Sequence, residues 1–175
     1  RPWKLQRSQR RKRVSPPSPS LVIGDLAMAM VDVTAKPEVY REATAKGLIK
    51  LKPETIQLIK EGRVEKGDPL QAAKIAGVMA AKSTGSLIPL CHPLPLTHVE
   101  INLGIVNSST VEVEAKVKAK AQTGVEMEAL VAVAIALLTV WDMTKQYEKD
   151  ALGQYPHTLI QDIRVTSKVK GAADE

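Results

Sequence analysis

Ionisable side chains interrupt an otherwise apolar segment of the chain, residues 123–149. Glu126 and Glu128 stand near its beginning, and Asp142 and Lys145 stand near its end. In a helix, 100° per residue places Glu128, Asp142 and Lys145 within about 100° of one another, along one edge. A lysine beside an aspartate on a mostly buried helix is typical of a proton-transfer pair. The spacing is equally consistent with a surface ion pair worth about 0.3 kcal/mol, and the helix dipole alone would explain Glu126.

A second group of reactive side chains, Cys91 and His92, lies in the proline-rich stretch LIPLCHPLPL, residues 87–96. Three prolines within seven positions exclude a helix or a central strand there. A stiff loop of this kind presents its side chains rigidly, which suits contact with a ligand. The alternative is that the leucines fill the core and that His92 is a packed imidazole. Taken alone, these residues favour the alternative.

Lys66-Gly67-Asp68 is typical of a turn that contacts phosphate, because a flexible glycine precedes the start of a helix. The signal is weak, since the tripeptide is common and the P-loop pattern G-x-x-x-x-G-K-S/T does not occur. Lys82, at the end of the same helix, is explained by its favourable interaction with the helix dipole.

The elements that position these residues can be predicted from hydrophobic periodicity and helix signals. Alternating valines and alanines with charged residues over 111–121 predict a strand with one buried face. Thr123 with Glu126 three residues later predicts a capping box for the long helix. The resulting fold class is α+β, a mainly antiparallel sheet with helices on one face. In order, the predicted elements are a strand at 40–51, helices at 53–61 and 68–83, a hairpin of strands at 99–105 and 111–121, a helix at 123–149 and a strand at 159–166.

Composition limits the class of protein. The 175 residues include 44% hydrophobic residues, no Phe and one cysteine, which is enough for one aliphatic core and excludes an intrachain disulfide. One cysteine and three scattered histidines cannot form a cysteine-rich zinc site. The longest apolar run, residues 129–141, is shorter than the ~20 residues that span a bilayer. We therefore expect a soluble protein in a reducing compartment, with this run buried in a core or subunit interface.

The net charge of +6 belongs to the N-terminal tail. Residues 1–24 contain seven of the 25 basic residues and no acidic one, which leaves 18 basic and 19 acidic residues in 25–175. The folded domain is therefore nearly neutral, and we expect no nucleic-acid partner for it. The tail, residues 1–29, is predicted to be disordered. A transit peptide, a polybasic arm and a cloning or translation remnant all remain open.

Five segments together resemble the molybdenum cofactor biosynthesis protein C family, the cyclic pyranopterin monophosphate synthases. They are MVDVT (30–34), KGDPLQAAKIAGVMAAK (66–82), LIPLCHPLPL (87–96), TGVEMEAL (123–130) and LTVWDMTK (138–145). The resemblance implies a single ferredoxin-like domain, residues 30–170, followed by a short tail, residues 171–175. It also implies dimers that assemble into a hexamer, with active sites at the dimer interface.

The activity implied by the resemblance is that of a phosphorus–oxygen lyase. Such an enzyme converts 3′,8-cyclo-7,8-dihydro-GTP, a cyclised GTP derivative, into cyclic pyranopterin monophosphate and releases pyrophosphate. We expect no resident cofactor and no metal site, and whether a metal ion assists the pyrophosphate stays open. The expected location is the cytoplasm, or an organelle if the tail is a transit peptide.

The resemblance assigns functional residues position by position. The catalytic residues are Asp142, Lys66 and Lys145, and the substrate-binding residues are Leu90, Cys91, His92, Glu126, Met127, Glu128 and Lys168. Ring opening and closure require several proton transfers. The two lysines could carry them if desolvation lowers their pKa values, with Asp142 orienting or deprotonating a lysine. His92 could bind phosphate or move a proton.

One departure from the family lies at the C-terminus. The family usually has a G-G-K-S-G segment after its last strand, whereas this chain reads KVKGAADE over residues 168–175. The segment that would close over the site is thus altered or truncated. This leaves open a catalytically weakened homologue that binds nucleotide or pterin, and a nucleic-acid protein that uses the basic tail is a third class. The retention of all six ionisable site residues, from Lys66 to Lys145, favours the enzyme.

Overall fold

A computed structural model describes residues 28–171. Its elements are β1 (Val39–Lys50), α1 (Pro53–Lys60), α2 (Pro69–Lys82), α3 (Thr84–Leu87), β2 (Leu96–Asn107), β3 (Thr110–Ala121), α4 (Glu126–Glu148) and β4 (Leu159–Lys170). Residues 1–27 of the predicted tail, and residues 172–175, lie outside the described residues, so the predicted disorder of the tail stays a prediction.

The four strands form one antiparallel sheet in the order β2-β3-β1-β4. β1 runs the full length of β3, with Val39 opposite Ala121 and Lys50 opposite Thr110. β2 and β3 form the predicted hairpin, in whose turn the Ser109 backbone N–H donates to Asn107 Oδ1 at 2.9 Å. Helices cover one face of the sheet. The element order and strand order are those of a ferredoxin-like fold, which confirms the predicted α+β class.

The alternation predicted for β3 is confirmed. Its valines and alanines at odd-numbered positions are all buried, while the charged residues between them lie on the opposite face. On that outer face, Lys46 of β1 pairs with Glu112 at 3.2 Å and with Glu114 at 3.1 Å. The charged face therefore faces away from the helices, and the core lies between the sheet and α4.

α4 is the central helix of the core and packs against α2, β1, β3 and β4. Gly47 of β1 allows this close approach, since a Cβ there would lie 2.8 Å from side-chain atoms of both Leu137 and Val133. By length and composition α4 could cross a bilayer, but half of its most apolar window is buried inside the domain. This packing is that of a core helix, which explains the apolar run seen in the sequence.

The predicted starts of α1 and α2 agree with the structure, the predicted start of α4 does not, and α3 has no predicted counterpart. Pro53 begins α1, and Asp68 caps α2 by accepting the backbone N–H of Leu70 at 2.9 Å. The capping box predicted for Thr123 and Glu126 is wrong, because α4 begins at Glu126 and no side chain caps it. The Glu126 carboxylate instead lies over Gly124, where a Cβ would collide with it, and pairs with Lys168 of β4.

Candidate active site

A cavity of about 780 Å³ lies among the proline-rich loop, the start of α4 and the end of β4. The prolines keep the loop out of regular structure, and the glycine turn before α4 lets the helix begin beside it. Six of the ten residues assigned from the sequence line this cavity. They are Leu90, Cys91, His92, Glu126, Met127 and Lys168.

The ion pair between Glu126 and Lys168 joins α4 to β4 across the cavity. Burial acts to raise the pKa of Glu126, but hydrogen bonds from Lys168 and from its own backbone N–H outweigh burial and hold the pKa below its ordinary value. Glu126 is therefore a carboxylate at neutral pH, and Lys168 is held in a defined position by it.

Residues before β1 reach over the same cavity. His92 Nε2 lies 2.8 Å from the Val31 carbonyl oxygen, which fixes the imidazole against this segment. A hydrogen bond to a carbonyl requires that this ring nitrogen carry the proton. His92 is therefore a positioned side chain at the cavity and not an imidazole packed in the core.

Several basic residues that line the cavity could not be recognised from the sequence, namely Lys36, Arg41 and Lys170. The Arg41 guanidinium donates to the carbonyl oxygen of Gln122 at 3.1 Å and so is held beside the turn before α4. A single basic residue in a strand carries no motif, and only the strand order brings Arg41 and Lys170 together. With Lys168, these residues give the cavity a positive lining that suits a polyphosphate.

A second cluster forms at the other end of α4. Lys66 Nζ lies 2.8 Å from Asp142 Oδ2, and Lys145 Nζ lies 2.7 Å from Asp142 Oδ1. Hydrogen bonds from Lys145 and Lys66 lower the pKa of Asp142 to about 2. The carboxylate in turn raises the pKa of Lys145. In the isolated chain desolvation does not produce a lowered pKa for Lys145, because the residue is exposed and its pairing with Asp142 outweighs the effect of burial.

The loop that carries Lys66 is attached to α4 at two points. The Glu65 backbone N–H donates to the Tyr147 hydroxyl oxygen at 2.9 Å, and Gln146 Nε2 donates to Glu65 Oε2 at 3.1 Å. Gly67 follows with φ of 100°, a conformation that favours glycine. The turn that Gly67 permits thus places the Lys66 side chain next to Asp142.

The two clusters are far apart within one chain. Along α4, 14 residues at 1.5 Å each separate Glu128 from Asp142 by about 21 Å, and Glu126 of the cavity is about 24 Å from Asp142. Glu128 is also 1% exposed and lines a smaller cavity of about 270 Å³, not the large one. An apolar hollow of about 400 Å³, lined by Leu138, Trp141 and Ile160, lies beside Asp142 and Lys145.

Within residues 28–171, no three His, Cys, Asp or Glu side chains come together in a way that could hold a metal ion. The chemistry available from the described side chains is acid–base transfer by lysine, carboxylate and imidazole, together with electrostatic binding of an anion.

Comparison with known proteins gives a consistent result. A family model described as the MoaC family matches residues 30–171. A probable cyclic pyranopterin monophosphate synthase of Pyrococcus furiosus is 54% identical over 148 residues, which are 85% of this chain and 94% of that protein. Proteins of the same name from Thermococcus kodakarensis and Saccharolobus solfataricus are 54% and 56% identical, over 85% and 81% of this chain and 95% and 94% of their own lengths.

Proposed function

The chain belongs to the MoaC family, and from this premise we propose that it is a cyclic pyranopterin monophosphate synthase. It is a lyase of molybdenum cofactor biosynthesis that converts 3′,8-cyclo-7,8-dihydro-GTP into cyclic pyranopterin monophosphate and releases pyrophosphate. The observation that supports the proposal most directly is the pairing of Lys66 and Lys145 with one carboxylate, Asp142. The same domain also contains a large cavity lined by basic residues.

The large cavity binds the substrate in this proposal. Its basic residues face a triphosphate, which is the part of the substrate that carries most charge. Glu126 accepts hydrogen bonds, so it suits the N–H groups of the guanine-derived ring, and Met127, 39% exposed, supplies an apolar contact. His92, whose Nε2 donates to the Val31 carbonyl oxygen, has its other ring nitrogen available for the phosphate end.

The Lys66–Asp142–Lys145 cluster supplies the proton transfers. Asp142 is charged at neutral pH and holds both ammonium groups in place. Each ammonium group can donate a proton to a leaving oxygen or nitrogen, and the resulting amine can take one back. Substrate that covers the cluster would remove water from it and so act to lower the pKa of Lys145, against the effect of Asp142.

We further propose that the site is composite, formed by the cavity of one protomer and the Asp142 cluster of another within a homo-oligomer. Two observations support this arrangement. Glu126 of the cavity and Asp142 lie 16 residues apart, about 24 Å along one rigid helix, which is too far for both to act on one small substrate. The hollow lined by Leu138, Trp141 and Ile160 leaves apolar surface beside the cluster, which a second copy could cover. Dimers that assemble into a hexamer are the form that we expect.

Pyrophosphate release from the cyclised GTP derivative tests the activity. We expect release by the parent protein and a loss of at least about 100-fold in Lys66→Ala and in Asp142→Asn. Lys60→Ala, which changes an exposed lysine at the end of α1, serves as the control. Binding of the substrate without turnover by the parent would instead support the weakened homologue with an altered C-terminal segment.

Co-expression of two inactive variants tests the composite site. Lys66→Ala disrupts the Asp142 cluster, and Glu126→Gln disrupts the large cavity. A dimer with one protomer of each variant therefore contains one site in which both parts are intact. Random pairing across a two-fold interface then restores about a quarter of the parent activity. An active monomer in sedimentation, or mixed oligomers that stay inactive, would contradict this arrangement.

We also propose that the protein acts in the cytoplasm and that its folded domain does not bind nucleic acid. The single cysteine is typical of a reducing compartment, and residues 25–175 carry nearly equal numbers of basic and acidic residues. Fractionation of cells that express the tagged protein tests the location, and an organellar signal would indicate that the tail is a transit peptide.

A further inference from the structure

The segment directly after α4 is held in a defined conformation by one side chain. Asp150 Oδ1 accepts the backbone N–H groups of Leu152 and Gln154, each at 2.8 Å. The Asp150 backbone N–H donates to the Gln154 carbonyl oxygen at 2.9 Å, and Gly153 has φ of 75°, a conformation that favours glycine. This turn therefore fixes the direction in which the chain continues to Tyr155.

Tyr155 packs on Trp141 of α4. The ring centroids of the two residues are 5.7 Å apart, and the ring planes are inclined by 58°, a geometry in which aromatic rings attract each other. Trp141 precedes Asp142 by one position and Lys145 by four. Side chains four residues apart in a helix lie on the same face, with Cβ atoms about 5–6 Å apart. The contact with Trp141 therefore brings the Tyr155 phenol to the side of α4 that carries Lys145.

The Tyr155 phenol is close enough to influence the Lys145 ammonium group. Hydrogen bonding to Asp142 raises the pKa of Lys145 most, and an electrostatic interaction with Tyr155 makes a smaller contribution in the same direction. Electrostatic interactions weaken with distance, so the two groups are neighbours. The lysine of the proposed catalytic cluster thus has an aromatic hydroxyl near it as well as a carboxylate.

Tyr155 differs from the other two tyrosines of the chain in its hydrogen bonding. The hydroxyl groups of Tyr40 and Tyr147 are both hydrogen-bonded to other residues of the protein. Within residues 28–171, no group forms a hydrogen bond with the Tyr155 hydroxyl, although this residue is half-buried. The hydroxyl is accessible, because the fully buried side-chain oxygen without a partner in this range belongs to Glu128. A positioned, accessible hydroxyl without a partner is available to a ligand.

We propose that Tyr155 is a substrate-contacting residue of the composite site, an inference that rests on the proposed function. Its hydroxyl donates a hydrogen bond to the substrate oxygen that lies next to the Lys145 ammonium group. A lysine supplies charge with little directional preference, whereas a phenol supplies a directed donor without adding charge. Because Trp141 already holds the ring, binding costs little side-chain entropy. Tyr155 thus orients the substrate for proton transfer by Lys145 and transfers no proton itself.

Tyr155→Phe tests this contact, because it keeps the ring on Trp141 and removes only the hydroxyl. We expect kcat/KM for pyrophosphate release to fall about tenfold. Binding is measured separately in a chain that carries Lys66→Ala, which stops turnover, and Trp3→Phe, which leaves Trp141 as the single tryptophan. Titration of this chain with 3′,8-cyclo-7,8-dihydro-GTP, followed by tryptophan fluorescence, should give a Kd about tenfold higher when Tyr155→Phe is added.

Tyr40→Phe is the matched control, because the Tyr40 hydroxyl donates to Glu42 at 2.6 Å on the charged outer face of the sheet. It should leave kcat/KM and Kd within about twofold of the parent values. The proposal is refuted if Tyr155→Phe stays within that range, or if it lowers kcat/KM but binds the substrate with an unchanged Kd. Binding by the parent without release of pyrophosphate would refute the proposed function, and the Kd values would still decide on Tyr155. Absence of binding by the parent would refute both.

Discussion

Replacing Glu148 is expected to loosen the end of α4, because its side chain joins three parts of the fold. The carboxyl accepts the Lys52 backbone N–H at 3.1 Å from each oxygen, the Thr55 hydroxyl at the start of α1, and the Thr158 hydroxyl just before β4. Glu148 is 0% exposed, Thr55 is 1% exposed and Thr158 is 6% exposed, so water does not replace these bonds. The Asp142 cluster lies within two turns of this anchor.

The size of the effect follows from the donors that would lose their acceptor. Glu148→Ala leaves two buried hydroxyls and one backbone N–H unpaired, at about 1–3 kcal/mol each. Because the three share one site, their costs do not add fully, and we expect a loss of about 3–6 kcal/mol in the free energy of unfolding. Glu148→Gln keeps the volume and one acceptor oxygen, so its expected loss is about 1–3 kcal/mol.

Urea unfolding followed by far-ultraviolet circular dichroism measures these losses, at several protein concentrations so that dissociation of an oligomer is separated from unfolding. Glu38→Gln, at an exposed position before β1, is the matched control and should stay within about 0.5 kcal/mol of the parent. If both Glu148 variants also stay within that range, the carboxyl does not hold the helix end and the reasoning is refuted.

Three further predictions concern the packing and the second cluster. Gly47→Ala should lower the free energy of unfolding by about 1–3 kcal/mol, because its Cβ would lie 2.8 Å from buried side chains of α4. Gly104→Ala is the control, since its Cβ would meet nothing within 4 Å and should show no such loss in urea unfolding. Asp142→Asn should lower the pKa of Lys145, which NMR titration of the lysine side chain measures. Since the pKa of Asp142 is about 2, any stability that its carboxylate contributes is present at neutral pH and is lost only as the pH falls toward that value. Tyr147→Phe removes the acceptor that holds the loop of Lys66 and should reduce kcat about threefold to tenfold if Lys66 acts as proposed, and an unchanged kcat would contradict this role.

Local patterns predicted most of the fold, and long-range contacts decided what they missed. Alternation over 111–121 and the cap at Asp68 depend only on neighbouring residues, and both are confirmed. The capping box at Thr123 failed because α4 begins at Glu126 itself, whose carboxylate pairs with Lys168, a residue far away in sequence that only the strand order brings near. A pattern of neighbouring residues cannot reveal such a competitor.

The candidate site was predictable in its residue types more than in its geometry. Helical angles placed Glu128 and Asp142 on one edge of α4, but they took no account of depth or distance along the axis, and the two residues differ in both. Arg41 was missed because one arginine in a strand has no motif spacing. The direction of the pKa shift of Lys145 depended on its ion pair, which the sequence could not distinguish from a desolvated lysine.

Because α4 carries both clusters, insertions and deletions within this helix are not tolerated in the same way as those outside it. One residue inserted between Glu128 and Asp142 would lengthen α4 by about 1.5 Å and rotate everything beyond it by about 100°. Asp142 would then point away from the loop of Lys66, and Glu148 would leave its three donors. Residues 156–157, which are exposed and follow Tyr155, can absorb an insertion without either effect. An insertion should therefore be tolerated between Tyr155 and β4 but not within α4, even where single substitutions of exposed residues of the helix are accepted.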